Sequence, residues 1–135
     1  MRVSGHVAIS VLIAAGLYGL CRSALLAGAS LLSGFLIDVD HFLDYWMEHG
    51  VRFRVRHLIR TFADDDYRLA RLPLHGWEWP VLLMVAVVFT SPQPVLVGLA
   101  VGWTQHLAVD QLTNDPVALG YSLVWRATRK FRYQA

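Results

Sequence analysis

The chain has 135 residues, enough for one domain, of which 56% are hydrophobic and only 16% charged. A soluble domain carries about 25% charged residues, so this composition is short of what a water-facing surface needs and points to a membrane protein. The single cysteine, Cys21, excludes an internal disulfide framework, and the net charge of +2 matters less than where the charges lie.

The first apolar run, residues 3–20, is interrupted by Ser4, Gly5, His6 and Ser10. Arg2 before it and Cys21 after it resemble the flanks of a signal peptide. Leu20 is too large for a lipoprotein cleavage site, and no small-x-small site precedes it, so the segment is expected to be retained. Cys21-Arg22-Ser23 is a tight connection to a second run, 24–37, closed by Asp38. A polar segment then extends to Pro73. Within it Val51, Val55, Leu58, Ile59 and Phe62 share one helical face, and Arg52, Arg56 and Arg60 share another. That pattern predicts an amphipathic helix in the 42–73 loop, lying among lipid headgroups. Its arginines serve either as electrostatic anchors or to recruit a phosphorylated lipid. Asp64-Asp65-Asp66 reads as a solvated helix start.

The third run, 76–90, has no polar residue between Val81 and Phe89. Two prolines in Ser91-Pro92-Gln93-Pro94 make the next turn. The fourth run, 95–112, is stopped by Asp115-Pro116, and a basic tail, 116–135, follows.

A spanning helix needs about 20 residues. The first and fourth runs fall within the range of roughly 17 to 25 that can span, and the shorter second and third depend on flanking residues or a thinned bilayer. The expected fold is all-α: an integral membrane, up-and-down four-helix bundle in a single domain, 1–135, with the amphipathic interfacial helix between the second and third spans. A soluble helical bundle is the alternative, and the lack of a wet face on 81–89 opposes it. Gly98 and Gly102 form a small-x-x-x-small pair that permits close helix approach, and Gly28 and Gly34 can act similarly.

This topology gathers the start of the first helix, the end of the second, the start of the third and the end of the fourth on one side. Those ends carry His6, Asp38, Asp40, His41, His75, Glu78, His106 and Asp110. The opposite turns hold no His, Asp or Glu, and of the 12 Lys and Arg only Arg22 lies there. Positive residues stay in the cytoplasm, so both termini and the polar cluster are expected on that face.

His106 and Asp110 are four apart and leave one helix face together. Asp38 and His41, and His75 and Glu78, are three apart and share a face if a helix runs through them. Nitrogen and carboxylate ligands without thiolate suit zinc, manganese or iron. The metal-ligand candidates are His6, Asp38, Asp40, His41, His75, His106 and Asp110, enough for two ions or for one ion with orienting neighbours. Glu78 or Asp40 is the candidate base for a metal-activated water. Asn114 and Gln111 can bond to substrate or cap the helix. No nucleophile elbow, phosphate-binding Gly-rich loop or nucleic-acid recognition motif accompanies these residues, so no nucleic-acid partner is expected.

The ordered set His6, Asp38-Val39-Asp40-His41, His75 and His106-Leu107-Ala108-Val109-Asp110 resembles the bacterial family of membrane-bound (inner-membrane) metal-dependent hydrolases. The resemblance covers residues 1–114 and extends distantly to the all-helical zinc-dependent phospholipases C and single-strand nucleases, which also use His-x-x-x-Asp. It implies a divalent metal, zinc foremost, and hydrolysis of a phosphate ester, a lipid among the candidates, at the cytoplasmic face of the inner membrane. Many members carry His-Arg-Gly and then Thr-His-Ser before the third helix, where this chain has Leu74-His75-Gly76-Trp77-Glu78-Trp79. The competing expectation is a non-catalytic membrane interaction or assembly protein whose cluster is structural. A metal or proton transporter ranks last, because 81–89 offers no polar residue inside a span.

Overall fold

Helix α1 (Val3–Cys21) ends where Arg22 takes a positive φ of 52°. Ser23 then caps α2 (Ala24–Leu36), its Oγ accepting the Leu26 amide at 3.3 Å. The computed structural model describes residues 3–50, 71–114 and 119–132. The amphipathic pattern from Val51 to Phe62, the Asp64-Asp65-Asp66 triple and the Asp115-Pro116 stop lie outside the described residues.

The chain does not leave the helix for a loop at Asp38, as the polar residues there suggested. Ile37 and Asp38 keep helical angles, and the Asp40 and His41 amides donate to the Ile37 and Asp38 carbonyls at 3.3 and 3.2 Å. The helix tightens for one turn and resumes as α3 (Val39–His49). Helix α4 (Glu78–Thr90) and helix α5 (Pro94–Thr113) follow, with Pro94 in the first turn of α5, where its missing N–H costs nothing. A short α6 (Leu123–Thr128) closes the described chain, capped by Ser122 Oγ on the Trp125 amide at 3.2 Å. Helices are the only extended regular elements among the described residues.

Small residues set the packing. A Cβ on Gly98 would strike the Leu26 carbonyl oxygen, and one on Gly102 would strike Ser30 O and Ser33 Oγ. A Cβ on Gly34 would lie 2.7 Å from Ser10 Oγ and 3.0 Å from Gln105 Nε2. These contacts run α2 and α5 side by side in the same direction, with the first half of α1 against the end of α2. The expected close approach holds at Gly98, Gly102 and Gly34; Gly28 faces open space, with nothing within 4 Å.

Burial is inverted relative to a water-soluble bundle. The buried set includes Ser10, Ser30, Ser33, His6, Asp40, Asp44, His75, His106, Asp110 and Arg126, whereas half of the buried hydrophobic residues among those described are alanines. Large apolar side chains point outward: Leu12 is 71% exposed, Val88 75% and Phe89 82%. Among the described residues one helical stretch, Ala24–Met47, is long and apolar enough to cross a membrane; Gly5–Cys21 and Glu78–Thr90 are shorter apolar helices. The apolar pattern favours the first and fourth runs. In the structure the second run gains length by continuing through Asp38, and α5 spends its last turns on polar residues.

Candidate metal centre

His106 is placed by α5 and held by α2. Its Nδ1 lies 2.9 Å from the Gly34 carbonyl oxygen, which can only accept, so Nδ1 carries a hydrogen and Nε2 is the atom turned to the centre. The absence of a side chain at Gly34 leaves room beside this contact for Ser10 and Gln105. Asp110, one turn on, sends Oδ2 to 3.4 Å from that Nε2.

His75 precedes α4 in a tight loop and is oriented from behind by Asp40. The Asp40 carboxylate lies 3.0 and 3.1 Å from His75 Nδ1 and accepts the Leu74 and His75 amides at 2.8 and 3.2 Å. Nδ1 again takes the hydrogen, and Nε2 faces Asp110 Oδ2 at 3.4 Å and Asp38 Oδ1 at 3.9 Å. Asp38 Oδ1 is also 3.4 Å from His106 Nε2. Both Nε2 atoms are buried and neither makes a hydrogen bond.

Two imidazole nitrogens and two carboxylate oxygens therefore converge. Ligands about 2.0–2.1 Å from a tetrahedral zinc ion stand about 3.4 Å from one another. Three of the four nitrogen–oxygen separations in the centre have that value. The donor set and its spacing fit a divalent metal of the zinc, manganese or iron kind.

His6 and His41 flank the centre. His6 Nε2 is 3.0 Å from Asp110 Oδ1, and its ring stacks on His106 with centroids 4.4 Å apart. The His41 ring meets His75 edge-on at 4.9 Å. His6, His106 and Asp110 form one group able to hold a metal; Asp38, His41 and His75 form another. The Asp38 side chain, 31% exposed, is the open part of a centre in which His6, Asp40, His75, His106 and Asp110 are buried.

The charge on His75 follows from these contacts. Burial disfavours a charged His75, yet its contacts with Asp110 and Asp40 prevail and raise its pKa.

Of the expected site residues, His6, Asp38, His41, His75, His106 and Asp110 come together. Asp40 and Glu78 do not stand where a ligand or base would. Asp40 is fully buried against the far nitrogen of His75 and orients that ring. Glu78 does not share a helix face with His75, because α4 begins only at Glu78. Its carboxylate accepts Ser122 Oγ at 2.6 Å and the Leu123 and Val124 amides at 3.0 and 3.1 Å, so it caps α6. Asn114 both caps α5 and donates from Nδ2 to Asp110 Oδ1 at 3.0 Å, beside the Tyr121 hydroxyl.

Three supporting groups escaped the motif reading. Arg126 donates to the carbonyl oxygens of Arg71, Leu72 and His75 at 3.1, 3.1 and 2.6 Å. Asp44 accepts the Arg71 and Leu72 amides at 2.7 and 3.1 Å. Gln105 donates to Ser10 Oγ at 2.8 Å, joining α5 to α1 one turn from the centre. Only Asp44 carried a signal in the sequence, its i+4 spacing from Asp40. No family model matches the chain, and no curated protein or solved structure is detectably similar to it.

Proposed function

We propose that the chain is a membrane-embedded, metal-dependent hydrolase acting on a phosphate ester, of the kind its ordered motifs resemble. The observation that carries this reading is the pair of buried Nε2 atoms of His75 and His106, which make no close hydrogen bond and each face carboxylate oxygens 3.4 Å away. A buried nitrogen left without a hydrogen bond costs about 1–3 kcal/mol, and a cation supplies the partner it lacks. Bound there, a divalent ion would polarise a phosphoryl oxygen and bring the pKa of a water toward neutrality.

The residues divide the remaining work. Asp40 and the Gly34 carbonyl hold both imidazoles at Nδ1, so that both Nε2 atoms point inward. Part-exposed Asp38 stands at the mouth, placed to orient an entering water. Outward apolar faces on α1, α2 and α4 support a bundle of four membrane-embedded helices, with the centre at one end at headgroup depth. Such a position suits a phosphorylated lipid, and the arginine and lysine distribution favours the cytoplasmic side.

The test is elemental analysis of detergent-purified protein, followed by hydrolysis assays on a phosphodiester, a phosphomonoester and mixed phospholipid vesicles. Bound zinc, manganese or iron, with turnover abolished in Asp110→Asn, is the expected result. A folded protein that neither retains nor takes up metal sinks the reading. It would favour the runner-up, a structural network tying helix ends together, for which the direct His6–Asp110 and His75–Asp40 contacts at 3.0 Å are the argument.

A further inference from the structure

Away from the centre, one side of the bundle stands open. Helix α4 packs chiefly against α5, and a groove of about 460 Å³ runs along it. Trp77 lies at one end and Phe89 at the other, with Thr104 of α5 alongside. The remaining lining residues repeat every three or four positions, so they form a single face of α4. Between Trp77 and Phe89 that face carries no charged, hydroxyl or amide side chain. The Thr104 hydroxyl donates to the Ala100 carbonyl oxygen at 2.7 Å, so its hydrogen is engaged within its own helix. A polar ligand would lack partners here, and a hydrocarbon chain needs none.

The lining also separates a lipid chain from another helix. Membrane helices approach one another through small residues, and α2 and α5 meet in that way, with Gly98 and Gly102 close against Leu26 and Ser30. The groove face presents Val81, Met84, Val85 and Val88 instead, which hold a second backbone at a distance. Its length fits one chain of a lipid. From Trp77 to Phe89 the helix rises about 18 Å, and one leaflet is half of a hydrocarbon core about 30 Å thick.

The groove has a direction. Trp77 follows His75 by two residues and Thr104 precedes His106 by two, so this end lies at the depth of the centre. Trp79 and Trp103 lie near the same level, their ring centroids 6.0 Å apart. Their indole N–H groups donate to the Pro73 and Leu74 carbonyl oxygens at 2.7 and 2.9 Å. Indoles gather at the headgroup level of a membrane, which makes the tryptophan end the headgroup end. Resting on the membrane-embedded hydrolase reading, we propose that the groove along α4 seats one acyl chain of a phospholipid and holds its phosphate at the depth of the centre. The substrate class is then a long-chain lipid, because a water-soluble ester lacks the part that the groove holds.

The experiment reconstitutes the full chain in vesicles of palmitoyl-oleoyl phosphatidylglycerol and extracts it in mild detergent. Phospholipid and metal bound per chain are then counted by native and elemental mass spectrometry. One lipid per chain is expected. Val85→Trp should lose it, because the indole fills the groove, and Met84→Trp is carried beside it in case one variant fails to fold. Leu12→Trp, which adds bulk to the exposed side of α1, should keep it. A wild-type chain that emerges without phospholipid, or lipid kept equally in the folded groove variants, overturns the proposal. Displacement by dihexanoyl phosphatidylglycerol would assign recognition to the headgroup and also overturn it. So would a dimer that Val85→Trp dissociates, since a second copy would then cover this face. Metal missing from a chain that keeps its lipid refutes the hydrolase reading and leaves the acyl-chain site standing.

Discussion

Arg126 donates to the carbonyl oxygen of His75 at 2.6 Å, which ties α6 to the loop that delivers an inward-facing imidazole. The same guanidinium holds the Arg71 and Leu72 carbonyls, and Asp44 holds the amides of those two residues. The loop is thus gripped through its backbone from two sides. Arg126→Ala strands three carbonyl oxygens and should cost about 3 kcal/mol of stability. Metal affinity should also fall, and Arg126→Lys, which keeps the charge but not the fork of donors, should restore only part of it. Thermal unfolding and metal titration of the two variants check both effects.

Asp40 and Asp110 are both carboxylates beside histidine nitrogens, but they touch opposite ends of the His75 ring. Asp40→Asn should leave the number of bound ions unchanged and weaken affinity about 10–100-fold, the usual effect of losing a partner that orients a ligand. Asp110→Asn should remove metal. Equal loss in both variants would place Asp40 among the ligands.

Glu78 supports α6 and does not face the centre. Glu78→Gln should leave turnover per bound metal unchanged while lowering stability by about 1–2 kcal/mol, because charge-assisted bonds to the Leu123 and Val124 amides are weakened. Turnover abolished at full metal occupancy would return Glu78 to the role of base.

Protons and metal compete at His75. Its contacts raise its pKa above 6.5 in the metal-free protein. The stability it contributes is therefore complete below pH 6.5 and is lost as pH rises through the elevated value. Metal must displace that proton, so affinity should rise over the same interval, by about tenfold per pH unit for one proton released. The melting temperature of metal-free protein should fall with pH in this range, while that of protein at fixed metal concentration should rise. Parallel curves would show that His75 is not a ligand.

Close packing offers a direct test of the helix interface. Gly102→Ala puts a methyl group into Ser30 O and Ser33 Oγ and should destabilise by about 1–3 kcal/mol or more. Gly28→Ala meets nothing within 4 Å and should be neutral or slightly stabilising, since alanine is the better helix former by about 0.8–1 kcal/mol. Denaturant unfolding in detergent compares the two.

The residues that converge were legible because helical spacing and chain order are properties of sequence. His106 and Asp110 needed only the i+4 rule, and His6, Asp38 and His75 needed only that apolar runs alternate in direction. The roles of Asp40 and Glu78 were not legible. Asp40 acts through residues 34 and 35 positions away, and Glu78 through residues 44 to 46 positions away. Such partners depend on how loops dock, and spacing carries no information about docking. Arg126 was hidden for a related reason: in a basic tail it looks like one more topology signal, and only burial separates it from its neighbours. Helix α3 was missed because Asp38 and Asp40 looked like the edge of a loop, when Asp40 points inward to accept amides that α3 itself does not supply.

The inward placement of serine, glycine, alanine and imidazole has a consequence for engineering. The bulky residues outside, among them Leu12, Leu32, Val81, Val88 and Phe89, do not shape the centre. Repainting that exterior with glutamate, lysine and glutamine should yield a detergent-free form with the same interior, since shape memory in this bundle resides in its smallest side chains.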